Sequence, residues 1–179
     1  MAGCLYIYQE GSMELLLSTP HGSRLYGLHH ANSDFDRFEV YGYEKFKPKQ
    51  RITGTQDVTK ASLDRFLRYC DKGVPQYLEA MFSQLAWVDN MEGIRETYVP
   101  NMTHMRHTYK RTIKSFWLAG VEEDDFKRRR HAWRLWFNWQ DMERDARFNP
   151  TLSPRDAELI TLYSDQDSGY FEAPPGVED

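Results

Sequence analysis

Cysteine is scarce in this chain: Cys4 and Cys70 are the only two thiols in 179 residues. Two isolated thiols make neither a disulfide framework nor a zinc knuckle, so a reducing compartment is the simpler setting. Long apolar runs are missing too. No stretch approaches the roughly 20 residues of a membrane-spanning helix. The start, "MAGCLYIYQEGSM", has no basic opening and no extended apolar centre, which argues against a secretory signal. Nor is there an excess of positive charge. Lys and Arg number 23 against 27 Asp and Glu, a formal net charge of −4. That balance gives no general footprint for nucleic acid, although a local basic face is compatible with it. The expectation is a soluble intracellular protein without membrane contact.

Aromatic residues, by contrast, are plentiful. At 15% of the chain they supply ample material for a core, so disorder is expected only at the end. The length suits one compact domain, or a small domain with a helical extension.

The front of the chain reads as β-structure. "CLYIYQEGSMELLLSTP" holds two β-leaning runs around Gly11-Ser12 and predicts a hairpin or adjacent strands ending near Thr19-Pro20. Residues 38–58 alternate apolar and polar with Gly and Pro interruptions, predicting a strand, a loop and a second short strand. From Thr59 the period changes. Leu63, Phe66, Leu67 and Cys70 recur at helical spacing, Thr59 or Ser62 can cap, and Gly73 ends the helix. Pro75 opens a second helix, "PQYLEAMFS".

Residues 84–100 read as a connection. Helices are predicted at 102–119, 123–147 and 153–164, with Gly120 separating the first two and Ser153-Pro154 opening the third. The last stretch, 165–179, is acidic and rich in Pro and Gly, and predicts a poorly ordered tail. The fold class is therefore α+β: a small mixed β-sheet core with helices over 1–83, then a C-terminal helical bundle.

The segment "HGSRLYGLHHANSDFDRF", His21 to Phe38, concentrates the chemistry. A Gly-Ser turn opening a short helix offers backbone N–H groups, a hydroxyl and a positive helix end, the parts that hold a phosphate. Asp34 and Asp36, one residue apart, share a face if both lie on a strand. Two carboxylates side by side repel each other, and a divalent cation between them relieves this. Mg²⁺ favours oxygen ligands and bridges carboxylates to substrate phosphates.

The order Gly-Ser, ten residues, then Asp-apolar-Asp resembles the signature of the DNA polymerase β-like nucleotidyltransferase superfamily. "GSRLYGL" followed by "SDFD" is similar to a subgroup of small predicted nucleotidyltransferases common in bacteria and phages. The resemblance continues through "DVTKASLDRFLRYCDKGVPQYLEAMFS" and resumes in "KRRRHAWRL", where Lys127, His131 and Arg134 match a basic trio. It covers most of residues 14–140.

The resemblance implies a catalytic core over 1–83 that moves an NMP from an NTP to an acceptor. The acceptor would be an RNA end, a protein hydroxyl or a small molecule, in the cytoplasm of a bacterium or a phage-infected cell. By the same resemblance Gly22 and Ser23 hold the triphosphate, and Asp34 and Asp36 hold two Mg²⁺ (or Mn²⁺) ions. The superfamily's third carboxylate is assigned to Asp57. Glu39 is nearer, but its odd spacing from Asp36 puts it on the opposite face of a continuous strand, and Glu44 lies beyond the interruption at Gly42. Where the superfamily has an apolar residue after the second Asp, this chain has Arg37.

Lys127, His131 and Arg134 fall at i, i+4 and i+7 and share a helix face that can neutralise phosphate charge. Arg128, Arg129 and Arg130 fall elsewhere and read as surface charge or an acceptor-binding strip. His29 and His30 read as surface histidines, Glu79 as structural, and Trp133, Trp136, Phe137 and Trp139 as helix-packing core, with a base-stacking platform as the alternative; the aromatic-rich helices can also furnish a homodimer face. Tyr26 either packs near a nucleotide or braces the Gly-Ser helix. Two other classes stay open: a D-x-D glycosyltransferase, and a non-catalytic nucleotide- or partner-binding module such as an antitoxin-like regulator.

Overall fold

A computed structural model describes residues 14–42, 49–51, 57–164 and 172–177. The first strand expected around residues 4–10, Cys4 and Glu44 lie outside the described residues. The second strand is β1 (Leu15–His21), which ends one residue past the expected Thr19-Pro20. It pairs antiparallel with β2 (Asp36–Tyr41), placing Thr19 opposite Phe38 and His21 opposite Asp36. The four-residue helix α1 (Ser23–Tyr26) lies in the connection between them. β3 (Lys49–Arg51) pairs antiparallel with β4 (Asp57–Ser62), which itself runs parallel to β2. β5 (Val88–Asp89) adds to β1, so the five-stranded mixed sheet has the order β3-β4-β2-β1-β5.

Strand alternation gives this sheet two different faces. Phe38 and Val40 of β2, with Leu17 of β1 and Ala61 of β4, are buried beneath α2 (Leu63–Asp71) and α3 (Pro75–Phe82). The Phe38 ring lies 5.8 Å from Phe66 and 5.1 Å from Tyr77. On the reverse face the buried Glu39 carboxylate is met by Arg37 Nε at 3.0 Å and Lys60 Nζ at 3.8 Å, and it accepts from Tyr41 Oη at 2.8 Å. Arg37 is therefore the partner of a buried acid, turned away from the face that carries Asp36.

The helix expected from Thr59 starts later. Thr59 to Ala61 pair with Phe38 to Val40 in the sheet, and Ser62 is the cap, its Oγ accepting from Arg65 N at 3.3 Å. Tertiary pairing overrides the local helical period here. The stop falls near Gly73, whose φ of +72° suits a residue without a Cβ.

The segment 84–100 carries β5 and a short helix, α4 (Glu92–Thr97). Arg95 ties it down. Its Nε donates to Met81 O at 2.9 Å, and its other nitrogens reach Ser83 O and the Asp89 carboxylate.

The back half consists of α5 (Met102–Glu122), α6 (Phe126–Asp145) and α7 (Pro154–Ser164). Gly120 does not separate the first two, because α5 continues through it to Glu122. One helical Gly costs only about 1 kcal/mol relative to Ala. The break comes at Glu123–Asp125, where Asp124 adopts φ +49° and Asp125 caps α6 by accepting from Arg128 N at 3.2 Å. Ser153 caps α7, accepting from Asp156 N at 3.1 Å.

One continuous cluster joins the halves, from Leu17, Phe38 and Met81 through Met105, Tyr109 and Leu135 to Met142 and Ile160. Within 165–179, where composition predicts a loose tail, residues 172–177 pack against it. Ala173 and Val177 are buried, and Trp133 Nε1 donates to Glu172 O at 2.9 Å. Among the described residues no helix is long and apolar enough to cross a membrane.

At Gly120, α5 passes close against Arg129 of α6. A Cβ there would lie 2.9 Å from Arg129 N and 2.8 Å from Arg129 Cγ. Because backbone must move to accommodate it, Gly120→Ala is expected to destabilise the protein by about 1–3 kcal/mol despite its better helix propensity. Urea unfolding measures this, and a neutral or stabilising effect would contradict the packing.

Candidate functional site

The strand ends and α6 enclose a cavity of about 640 Å³, within the size range of small-molecule sites. His21, Gly22, Ser23, Asp34 and Asp36 line it from the sheet end, and Lys127, Arg130, His131 and Arg134 from α6. The structure thus brings together residues more than 100 positions apart that the sequence places in one function.

Gly22 is the pivot of the sheet side. Its φ of +63° and ψ of −148° are backbone values that L side chains rarely adopt. A Cβ on it would lie 2.5 Å from Asp36 Oδ2, so the turn and the carboxylate are in direct contact. Gly22 O accepts from Leu25 N and Tyr26 N, which starts α1, and Gly27 ends it in the left-handed conformation. The far end of α1 is pinned by the chain after α6: Thr151 Oγ1 donates to Leu25 O at 2.9 Å and Leu152 N to Tyr26 O at 3.2 Å.

Asp36 is the first residue of β2 and Asp57 the first of β4. The parallel register, Arg37 beside Val58, puts the two acids next to each other. Asp34 precedes the strand and is exposed, so it joins the site from the loop and not from a shared strand face. Arg24 organises that loop, donating from Nε to Asp34 O and from Nη2 to Ser33 O, both at 3.3 Å.

Partial burial pushes the Asp36 carboxyl above its usual range. The negative charges of Asp57 and Asp34 push it further, while His21 and the Asp57 backbone N–H pull it back. Among the described residues neither Asp34 nor Asp36 forms an ion pair with Lys or Arg, and no group of three His, Cys, Asp or Glu stands preassembled as a metal cage.

The basic trio divides into different roles. Arg134 is buried, with Nη1 2.5 Å from Glu79 Oε1 and its guanidinium 3.7 Å from the Tyr26 ring centre. Tyr26 Oη donates to Glu79 Oε2 at 2.7 Å. Burial alone would raise the Glu79 carboxyl. The Arg134 guanidinium, aided by His21 and by hydrogen bonds from Tyr26 and Arg134, instead holds it below the usual range. Burial likewise opposes the Arg134 charge, and Glu79 restores it.

His131 packs edge-on to Tyr26 and against Phe116. Burial, then the Arg134 charge, lowers it to about 3, so it is a neutral ring at physiological pH. The matched trio therefore contributes one available cation, Lys127.

Arg130 supplies the other. It lines the cavity, where the sequence assigned it to a different part of the helix. Its spacing of three from Lys127 and four from Arg134 was the available signal. Among the described residues neither Lys127 nor Arg130 has a carboxylate partner; the Arg130 guanidinium rests over the Phe126 ring, 5.4 Å from its centroid. The other two arginines are structural or superficial. Arg129 is buried and donates to Gly120 O and Ser164 O, and Arg128 pairs with Glu123 at 2.7 Å. His30 lines the cavity with Nδ1 accepting from Asn32 N, while His29 is exposed.

A second depression of about 640 Å³ lies between α3, α4 and the end of α6. Several of its charges are matched with one another, Arg95 with Asp89 and Arg144 with Asp141 and Asp145, while Arg147 donates to the backbone carbonyls of Glu96 and Arg95.

Glu79→Gln is expected to cost about 3–5 kcal/mol, because it leaves the buried Arg134 charge without its acid. Adding Arg134→Met to that variant should recover most of the loss in denaturant unfolding. Because the Glu79 carboxyl is held below its unfolded value, its contribution is present above the ordinary carboxylate range and fades as pH falls through the depressed value. A mild Glu79→Gln effect would contradict this account of the pair.

No protein-family model and no curated protein matches the chain.

Proposed function

We propose that the protein is a metal-dependent nucleotidyltransferase that moves an NMP from an NTP to an acceptor hydroxyl. One observation carries this reading: a single cavity is lined by Asp34 and Asp36, the latter flanked by Asp57, and by two cations that have no carboxylate partner among the described residues, Lys127 and Arg130. Acids for a metal and bases for phosphates in one nucleotide-sized space suit a metal–triphosphate better than any apolar ligand.

The donor set fits Mg²⁺ or Mn²⁺. The candidate ligands are all carboxylate oxygens, and Asp36 carries a charge that its neighbours disfavour and a cation would relieve. Mg²⁺ commonly binds one or two carboxylates and completes its shell with substrate phosphates and water, so a preassembled three-ligand cage is not required. Asp34 and Asp36 would hold it, with Asp57 as the third carboxylate, and it would supply Lewis-acid polarisation of the reacting phosphate.

The remaining groups bind and orient. The bare Cα of Gly22 lets a phosphate approach the turn, and Ser23 adds its hydroxyl at the cavity wall. Lys127 and Arg130 neutralise the β- and γ-phosphates as charge builds on the departing pyrophosphate. Neutral His131 and the Arg134–Glu79–Tyr26 group hold the wall in place. In the transfer, the acceptor hydroxyl gives up its proton to solvent and its oxygen bonds to the α-phosphorus, while the bond from that phosphorus to the bridging oxygen breaks and pyrophosphate leaves.

Incubation with α-labelled NTPs, Mg²⁺ and a cell extract tests the reading. Label should move to an acceptor with the wild-type protein, and Asp34→Ala or Asp36→Ala should abolish transfer. Asp36→Ala should unfold at no lower temperature in metal-free buffer, because the substitution also removes a repelled charge. Wild-type transfer by either variant would contradict the metal assignment.

A further inference from the structure

We propose that Trp87, Phe35 and Arg24 form a stacking platform for the terminal base of a single-stranded nucleic acid, which makes that strand the acceptor. The acceptor role rests on the nucleotidyltransferase reading, whereas the platform itself rests on separate residues.

Phe35 is the residue between Asp34 and Asp36. Its ring lies 5.4 Å from the Trp87 indole with only 9° between the planes, and the Arg24 guanidinium sits 5.0 Å from the Phe35 centroid. Arg24 also donates to the carbonyls of Ser33 and Asp34. Cation, ring and indole are thus joined to the loop that carries the carboxylates.

Exposure separates Trp87 from the rest of its kind. Trp117, Trp133 and Trp139 are buried and Trp136 is half-buried, whereas Trp87 is 52% exposed. It is nevertheless held firmly, because its backbone N–H donates to Ser18 O at 2.8 Å immediately before β5. A large flat ring kept at the surface on a fixed backbone, backed by a parallel ring, favours a ligand with a flat face of its own. A nucleobase has one, and every base can use it, so stacking tolerates sequence. The nearby guanidinium suits both the π-system and a phosphate.

The charge distribution selects a strand end over a long duplex. Lys127 and Arg130 line the cavity, and Arg24 donates to the carbonyls of Ser33 and Asp34 in its loop wall, a handful of cations in a chain with net charge −4. A duplex tract needs many phosphate contacts and offers no exposed base face. A terminal nucleotide stacked on Trp87 needs only a few, and it brings its hydroxyl beside the residues flanking Phe35.

Fluorescence anisotropy with a short 5′-labelled oligoadenylate, the matching RNA duplex and a labelled Ser-rich peptide tests this, alongside Mg·ATP binding in the same samples. The single strand should bind better than the duplex or the peptide. Trp87→Ala should weaken that binding about 10-fold or more, Trp87→Phe should retain most of it, and Val99→Ser, at another exposed apolar residue, should change nothing. Thermal midpoints and Mg·ATP binding should match wild type in all three variants. Equal oligonucleotide binding by Trp87→Ala and wild type would overturn the proposal, as would preferential binding of the peptide, which would make the acceptor a protein. If the oligonucleotide binds through Trp87 but Mg·ATP does not bind at all, the platform stands and the transfer reading falls. If Mg·ATP binds and the oligonucleotide does not, the reverse holds.

Discussion

The buried ion pair between Arg134 and Glu79 is the contact on which the site depends. It joins α6 to α3, and through Tyr26 it reaches α1, the helix that follows the Gly22 turn. Such a pair is expensive to desolvate and becomes useful when its remaining bonds are satisfied and its geometry is specified. Here the acid accepts from both the guanidinium and the phenol, so the three elements have little freedom to slide. The consequence is positional. The carboxylates at the strand ends and the cations of α6 face one cavity because this group holds the two halves at a set spacing.

The electrostatics around the cavity follow from the same arrangement. Arg134 uses its charge internally and, with burial, suppresses the charge of His131. The cations left for a ligand are therefore Lys127 and Arg130, on the outer turns of the same helix face. Across the site, Asp36 is crowded by Asp57 and Asp34 and raised by burial. Excess negative charge on one wall and available positive charge on another is the pattern expected for a ligand that brings a cation and several phosphates together.

Much of the fold could be read from local pattern. The helical period from Leu63 to Cys70, the Pro75 start and the Ser153-Pro154 cap all depend on nearby residues and are found where expected. The misplacements arise from distant partners. Thr59 to Ala61 are strand because β2 is beside them, and Gly120 lies inside α5, where its missing Cβ leaves room for Arg129 of α6. In the site, strand parity correctly set Glu39 apart from Asp36, and Arg37 proved to be that acid's partner. The division of labour among Lys127, Arg130, His131 and Arg134 was not legible, because it depends on Glu79, 55 positions from Arg134. The Phe35–Trp87 stack joins residues in separate segments and leaves no local trace.

The central claim is that the cavity takes a nucleotide through a metal held by the aspartates. Calorimetric titration of ATP into the protein, with and without Mg²⁺, tests it most directly when repeated on Asp36→Asn. Binding to the wild type should require Mg²⁺ and should be lost in the variant. ATP binding of equal strength without a divalent cation, or in Asp36→Asn, would contradict the claim.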